Sequence, residues 1–251
     1  MRDVANDAIQ LWKVPLVVSD EMLESYFYCL SSDEKARANR FKFARDRRRF
    51  VVARGTLRHL LGRELARSPQ SITLCYGEYG KPSLSSTAAN SADYKACNFH
   101  FNLSHSGELA LCALGGDRPV GVDIEIIRPI QQLDNMIERC LSEREQTQVR
   151  ATADSLRAFL QCWTCKEAYL KAIGKGLSQS MKTVEVDALT AQLLRVPNEC
   201  DEGWHLHTVD LSEDLSENLS ENSLEDYVGA LVVSGQVRVQ RSNWHHAIRP
   251  L

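Results

Sequence analysis

The sequence GVDIEI at positions 121–126 alternates small or aliphatic residues with acidic ones and lies near the middle of the chain. Alternation with a period of two predicts a β-strand, here over 120–127, because successive side chains of a strand point to opposite faces. The aliphatic side chains would then face the core, while Asp123 and Glu125 would lie together on the other face. We predict that this strand opens the second half of the protein.

The segments on either side of this strand repeat one order of elements. Upstream, the sequence predicts a long helix over 46–66 followed by strands at 72–76, 99–103 and 109–114. Downstream, it predicts a long helix over 155–173 followed by strands at 183–187, 204–210 and 228–233. This order favours an α+β fold over a doubly wound one. We therefore predict a pseudo-dimer of two similar halves, residues 1–118 and 119–251, each a long helix packed on a small antiparallel sheet, with a ligand cleft between them.

The composition excludes several classes of protein. The 251 residues carry 30 basic and 33 acidic side chains, a net charge of −3, which argues against a globally basic nucleic-acid binder. No apolar run is long enough to span a membrane, and the first residues lack a signal-peptide pattern, so we expect a cytoplasmic protein with no membrane partner. The eight cysteines are scattered, and the C-x-x-C of Cys162 and Cys165 falls inside the predicted helix. We expect free thiols rather than a redox or zinc site.

Two segments carry strongly unbalanced charge. Residues 35–67 contain twelve Lys and Arg against two acidic residues, and an apolar stripe predicts a basic amphipathic helix. A solvated face is one interpretation, but the self-repulsion favours a polyanionic ligand or an acidic partner. Nucleic acid is a weaker candidate, because the stripe lacks interleaved aromatic residues for base stacking. Residues 201–226 hold nine acidic residues and no Lys or Arg, which predicts a solvated loop or frayed helical insertion without chemistry.

Asp123 and Glu125 are the first candidate site residues. Two carboxylates side by side on one strand face repel each other unless a cation lies between them. Hard oxygen ligands of this kind suit Mg²⁺ or Mn²⁺, which commonly bridge to substrate phosphates. The alternative is an acidic edge strand that faces solvent.

A second candidate segment is WTCKEAYLKAIGKGL at 163–177, where Glu167 and Lys171 stand four residues apart on one helical face. A surface ion pair there would contribute only about 0.3–0.5 kcal/mol. Lys175 between two glycines instead favours close approach to a ligand. A third segment, FHFNLSHSG at 99–107, offers Ser104 and His105 as phosphate donors, and Lys81 lies at the tip of the turn YGKP at 79–82.

Together these motifs resemble the Sfp-type 4′-phosphopantetheinyl transferases. Four landmarks occur in that family's order: GKP at 80–82, FNLSHS at 101–106, GVDIE at 121–125 and WxxKEAxxK at 163–171. The GKGL at 174–177 and the basic N-terminal region also fit. The likeness covers about residues 30 to 180. Each motif alone would be weak, but their joint occurrence is highly specific.

The resemblance implies a function, a cofactor and a partner. Coenzyme A would lie between the halves, and a serine of an apo acyl or peptidyl carrier protein would take its phosphopantetheine and release adenosine 3′,5′-bisphosphate. The carriers would belong to polyketide, nonribosomal peptide or fatty-acid synthesis. Since two internal halves complete one cleft, a monomer suffices. Two rival functions are a metal-dependent phosphodiesterase and a non-catalytic module that binds coenzyme A or acidic proteins.

The resemblance also assigns roles to residues. The magnesium ligands would be Asp123, Glu125 and Glu167. Glu167 would also be the first candidate for the general base, and Glu145 matches a further acidic position with a catalytic part. Lys171 would contact the pyrophosphate. The remaining coenzyme A ligands would be Arg37, Arg49, Lys81, Pro82, Ser104 and His105. Phe50 replaces the family's threonine in the basic helix, which removes one hydroxyl contact.

Overall fold

The computed structural model describes residues 8–85, 98–175, 179–187, 189–197, 203–211 and 227–245. The helices in these ranges are α1 Asp20–Cys29, α2 Ser32–Ala38, α3 Ala44–Leu65, α4 Leu133–Cys140, α5 Glu143–Ala151 and α6 Ser155–Ala172. The strands are β1 Ala8–Pro15, β2 Leu74–Tyr76, β3 Pro82–Leu84, β4 His100–Ser106, β5 Leu109–Gly116, β6 Val120–Ile126, β7 Glu185–Asp187, β8 Gln192–Arg195, β9 Trp204–Thr208, β10 Tyr227–Ser234 and β11 Arg238–Asn243. The fold is mixed α+β.

The strands form two main sheets and two small hairpins. The first sheet has the order β11-β1-β5-β4 and the second the order β6-β10-β9, while β2 pairs with β3 and β7 with β8. All of these pairs are antiparallel except β1 with β11, which is parallel. The expectation of purely antiparallel sheets is therefore wrong at this one pair. The division at residue 118 stays a prediction, and β11 from the second segment completes the sheet of the first.

The two sheets lie face to face between two long helices. Leu109, Leu111 and Ala113 of β5 join one core cluster with Val122 and Ile124 of β6. The alternate side chains of β5, Cys112 and Leu114, pack instead with Leu57, Leu60 and Leu61 of α3. On the far side, alternate residues of β10 pack against α6. The period-two alternation of the buried strands thus builds four layers, ordered helix, sheet, sheet, helix.

Helix α6 lies very close to strand β6. Its first turn is capped by Asp154, whose carboxylate accepts a hydrogen bond from the Arg157 backbone N–H at 2.9 Å. A Cβ atom placed on Gly121 would collide with the backbone of Ala168 and Ala172. Glycine at 121 therefore allows the helix to lie directly over the strand that carries Asp123 and Glu125.

The predicted long helices and strands are confirmed, with ends that shift by a few residues. Helices α3 and α6 correspond to the segments predicted at 46–66 and 155–173, and every predicted strand segment contains an observed strand. Several elements were not predicted: β1, β3, β8, β11, α1, α2, α4 and α5. Most of the acidic insertion, 212–226, lies outside the described residues.

The described part of the chain agrees with the expectations for its thiols. Cys162 and Cys165 lie buried inside α6 and are unbonded, as are the other four cysteines in the described ranges. Burial raises the pKa of both thiols to about 12, so they remain protonated and unreactive at neutral pH.

No helix in the described ranges has the length and apolar content that crossing a membrane requires.

Candidate active site

A cavity of about 430 Å³ opens between the two halves. Its walls come from α2, α3, the β2–β3 turn, β4, β6 and α6. Eight of the residues predicted from the sequence line it: Arg37, Pro82, Ser104, His105, Asp123, Glu125, Glu167 and Lys171. The fold therefore brings together side chains that are up to 134 positions apart in the sequence, from Arg37 to Lys171.

Strand β4 is joined to the edge of β6 by alternate polar side chains. The Asn102 side-chain oxygen accepts a hydrogen bond from the Val122 backbone N–H at 2.9 Å. Ser104 Oγ donates to Asp123 Oδ1 at 2.8 Å, and Ser106 Oγ donates to Glu125 Oε2 at 2.8 Å. The FNLSHS motif thus holds the two carboxylates of β6 in place, a role that differs from the phosphate contacts expected of its serines.

Lys171 contacts Asp123 rather than Glu167, its neighbour on the helix. Its Nζ lies 2.6 Å from Asp123 Oδ1 and 2.9 Å from Ser104 Oγ. Asp123 is only 3% exposed, and its second oxygen, Oδ2, has no hydrogen-bond partner among the described residues. The alternative of a solvent-facing acidic strand is therefore wrong for Asp123.

Glu167 is a buried carboxylate with one free oxygen. The side chain is 7% exposed, and within the described part of the structure Oε1 accepts no hydrogen bond. Burial is the main cause that raises the pKa of Glu167 to about 7; Lys171 opposes this shift, and the negative charges of Asp123 and Glu125 add to it. Burial raises the pKa of Glu125 as well. The cavity thus concentrates negative charge that a cation would relieve.

The carboxylates provide suitable donors for a hard divalent cation. Within the described ranges, no three His, Cys, Asp or Glu side chains are already arranged as a metal site. Asp123 Oδ2 and Glu167 Oε1 are nonetheless both without partners, and both residues line the same cavity as Glu125. Mg²⁺ needs only one or two protein carboxylates when phosphates and waters supply its other ligands. The donor set therefore fits Mg²⁺ chemically.

Arg54 was not singled out from the sequence, although it belongs to the basic segment. It lines the cavity at 7% exposure, and its Nε and Nη1 atoms have no hydrogen-bond partner in the described chain. Its guanidinium centre lies 5.9 Å from the Phe50 ring, and that of Arg37 lies 5.2 Å from the same ring. Glu34, 3.5 Å from Arg54, is held by a 2.6 Å hydrogen bond from Arg58. Two cations thus lie beside one aromatic ring in the lining of the cavity.

Two predicted ligands of coenzyme A do not line this cavity. Arg49 lies 3.9 Å from both Asp46 and Glu108. Lys81 Nζ donates to three backbone carbonyls, although its neighbours Gly80 and Pro82 do line the cavity. A turn places alternate side chains in different directions, which the sequence motif could not reveal.

The structure does not bring Glu145 to the cavity. Glu145 is fully buried and pairs with Lys166, whose Nζ lies 2.6 Å from Oε2. Its carboxylate also accepts hydrogen bonds from the backbone N–H groups of Ser142 and Val186. This geometry does not fit the expected catalytic part for Glu145, because its contacts cap α5 and join that helix to α6 and β7.

Comparisons with known proteins identify the family. Residues 17–115 match the family described as 4′-phosphopantetheinyl transferase, N-terminal, and residues 119–232 match the 4′-phosphopantetheinyl transferase superfamily. The 4′-phosphopantetheinyl transferase HetI of Nostoc sp. is 41% identical over 187 residues, which cover 74% of this chain and 76% of that protein. The 4′-phosphopantetheinyl transferase Sfp of Bacillus subtilis is 28% identical over 171 residues, 67% of this chain and 71% of that protein.

One solved structure that is similar to this chain is the holo-[acyl-carrier-protein] synthase of Thermotoga maritima. The match covers 47% of this chain and 63% of the synthase chain, at 21% sequence identity and a TM-score of 0.34. The family matches span both halves of the sequence and include the strand and helix that supply the carboxylates. The chain belongs to the 4′-phosphopantetheinyl transferase superfamily. Within it, the protein is of the Sfp type.

Proposed function

We propose that this protein transfers 4′-phosphopantetheine from coenzyme A to a serine of apo acyl or peptidyl carrier proteins and releases adenosine 3′,5′-bisphosphate. The carriers would serve polyketide, nonribosomal peptide or fatty-acid synthesis. One observation carries the proposal: a single cavity is lined both by the carboxylates of Asp123, Glu125 and Glu167 with Lys171 and by the guanidinium groups of Arg37 and Arg54. Coenzyme A carries a diphosphate and a separate 3′-phosphate, so it requires two such charged regions.

The carboxylates and Lys171 would act in the transfer reaction itself. Bound Mg²⁺, for which Mn²⁺ could substitute, would be held by Asp123, Glu125 and Glu167 and would neutralise charge on the diphosphate. Lys171 would bind a diphosphate oxygen and stabilise the negative charge that grows on the leaving group.

The two arginines that line the cavity would hold the nucleotide. Arg54 would donate N–H groups to the 3′-phosphate, since its buried Nε and Nη1 have no hydrogen-bond partner among the described residues. Arg37 and His105 would add to this contact. Phe50 stands where the family's threonine is expected, and its ring offers an apolar surface between the two arginines.

Several finer properties belong to the same proposal. The two helix-on-sheet layers would be related as a pseudo-dimer, and one chain would suffice as a monomer. The partners would be coenzyme A and a carrier protein, with neither nucleic acid nor membrane involved, in the cytoplasm.

The test is incubation of the protein with coenzyme A, Mg²⁺ and several apo carriers, followed by mass spectrometry of each carrier. We expect the carrier to gain the mass of phosphopantetheine, and a carrier with its acceptor serine replaced by alanine to gain nothing. Asp123→Ala should abolish transfer, whereas Cys162→Ala, at a buried thiol inside α6, should retain it. Free phosphopantetheine without modified carrier would indicate the phosphodiesterase instead. Bound coenzyme A without turnover would indicate the binding module.

A further inference from the structure

The side chain of Lys81 crosses from the first half of the protein to the second. Its backbone lies in the turn after β2, beside Gly80, which has a φ of +78°. Its Nζ donates to the backbone carbonyls of Val120 at 3.1 Å, Lys171 at 2.6 Å and Ala172 at 3.1 Å. One ammonium group therefore contacts the start of β6 and the end of α6.

These three bonds use the full hydrogen-bonding capacity of the group. An ammonium has three N–H donors, and Lys81 has three carbonyl acceptors. The last carbonyls of a helix lack intrahelical partners and lie at the negative end of the helix dipole, so a cation there is stabilising. Burial lowers the pKa of Lys81 to about 8, a value that still leaves it mostly charged at neutral pH. No donor remains for a phosphate unless one of these carbonyls is given up.

The segments that Lys81 connects are three walls of the active-site cavity. Strand β6 begins at Val120 and carries Asp123 and Glu125. Helix α6 carries Glu167 and Lys171 in its last turns. The turn itself supplies Gly80 and Pro82 to the same cavity. A shift of β6 relative to α6 would change the separation between Asp123 and Lys171.

We propose that Lys81 is a positioning residue for phosphopantetheine transfer and not a ligand of coenzyme A. It fixes the end of α6 against the start of β6, and so sets the spacing of Asp123, Glu167 and Lys171. This inference rests on the family's transfer activity. It replaces the nucleotide contact that the sequence motif suggests for this lysine.

The first test separates positioning from binding in Lys81→Met, which keeps the length of the side chain and removes its charge. We expect kcat to fall about tenfold or more, because misplaced catalytic groups lose rate. The Kd for adenosine 3′,5′-bisphosphate, measured by calorimetry, should stay within about twofold of the wild-type value. Lys81→Arg should recover part of kcat, since a guanidinium can also donate to the carbonyls. Lys182→Met, at an exposed lysine of the second half, is the control.

Opposite results would overturn the proposal. A Kd weakened about tenfold with kcat unchanged would make Lys81 a ligand, and no change in either value would leave it without a role. A crystal structure of the wild-type protein with adenosine 3′,5′-bisphosphate gives a second test that does not depend on the variant folding. Nζ should remain on the carbonyls of Lys171 and Ala172, and a bond to phosphate would refute the inference. Wild-type transfer is measured first, so failure of the family activity is distinguishable from failure of the positioning role.

Discussion

Glu167→Gln is expected to stabilise the metal-free protein above neutral pH while it abolishes transfer. The wild-type carboxylate is 7% exposed, and Oε1 has no hydrogen-bond partner within the described residues. Its charge also lies near Asp123 and Glu125, which raise its pKa beyond the effect of burial. Glutamine keeps the shape of the side chain and removes the charge. The residue proposed for catalysis is thus one that costs folding stability.

The size of the effect follows from the pKa. The folded-state pKa is about 7 against an ordinary value of 4.5, so the folded protein binds more protons than the unfolded chain between these values. The contribution of the Glu167 carboxyl to the free energy of unfolding is therefore fully present below about pH 4.5 and is lost as the pH rises through about 7. Each unit of pKa shift corresponds to about 1.4 kcal/mol, which gives a cost of about 3 kcal/mol at pH 8 and under about 1 kcal/mol at pH 5.

The assay is urea unfolding of both proteins in EDTA at pH 5 and pH 8. We expect Glu167→Gln to be more stable than wild type by up to about 3 kcal/mol at the higher pH, with the gap nearly closed at the lower one. Glu24→Gln, at an exposed glutamate on α1, should change neither value. Mg²⁺ should then raise the stability of wild type more than that of the variant. Equal stability of wild type and Glu167→Gln at both pH values would refute the reasoning.

Three further predictions concern binding and packing. Arg54→Ala should weaken the binding of adenosine 3′,5′-bisphosphate about tenfold or more by calorimetry, because the buried guanidinium has free donors; an unchanged Kd would argue against this phosphate contact. Lys166→Met should lower the free energy of unfolding by about 3–5 kcal/mol, since it leaves the Glu145 charge buried and without its cation. Adding Glu145→Gln to this variant should recover part of that loss. Additive losses of stability in the double variant would contradict the ion-pair account. Gly121→Ala should lower Tm sharply because its Cβ meets the backbone of α6, whereas Gly77→Ala, whose Cβ would have its nearest atom at 3.8 Å, should not; equal Tm values would count against the close packing.

The alternation of small, aliphatic and acidic residues at 121–126 was enough to predict both strand β6 and its carboxylates. Apolar residues at helical spacing located the basic helix α3, because a long amphipathic segment leaves a clear pattern. Short edge elements were missed for the opposite reason. Strand β11, RVQRSN, has few apolar residues, and its pairing with β1 depends on chain segments about 230 residues apart. Tertiary contacts rather than local pattern decide such strands.

The site residues divide in a similar way. Motifs identified which residue types gather at the cavity, and eight of those named do line it. The motifs did not predict the direction in which each side chain points. Lys81 extends to the end of α6, and Glu145 points into the core, where it pairs with Lys166. Arg54 was one of twelve cations in its segment, and it is distinguished by its burial and by Nε and Nη1 atoms that have no hydrogen-bond partner among the described residues.

The parallel pair of β1 and β11 has a consequence for synthesis on the ribosome. Strand β5 can pair with β1, and β4 with β5, once the chain has passed residue 116, but the opposite edge of β1 has no partner among the described strands until residues 238–243 emerge. The nascent chain therefore carries an open strand edge on the first sheet from residue 116 until residues 238–243 emerge. Edges of this kind invite mispairing, so yield in expression should depend on the final strand as much as on the catalytic cleft.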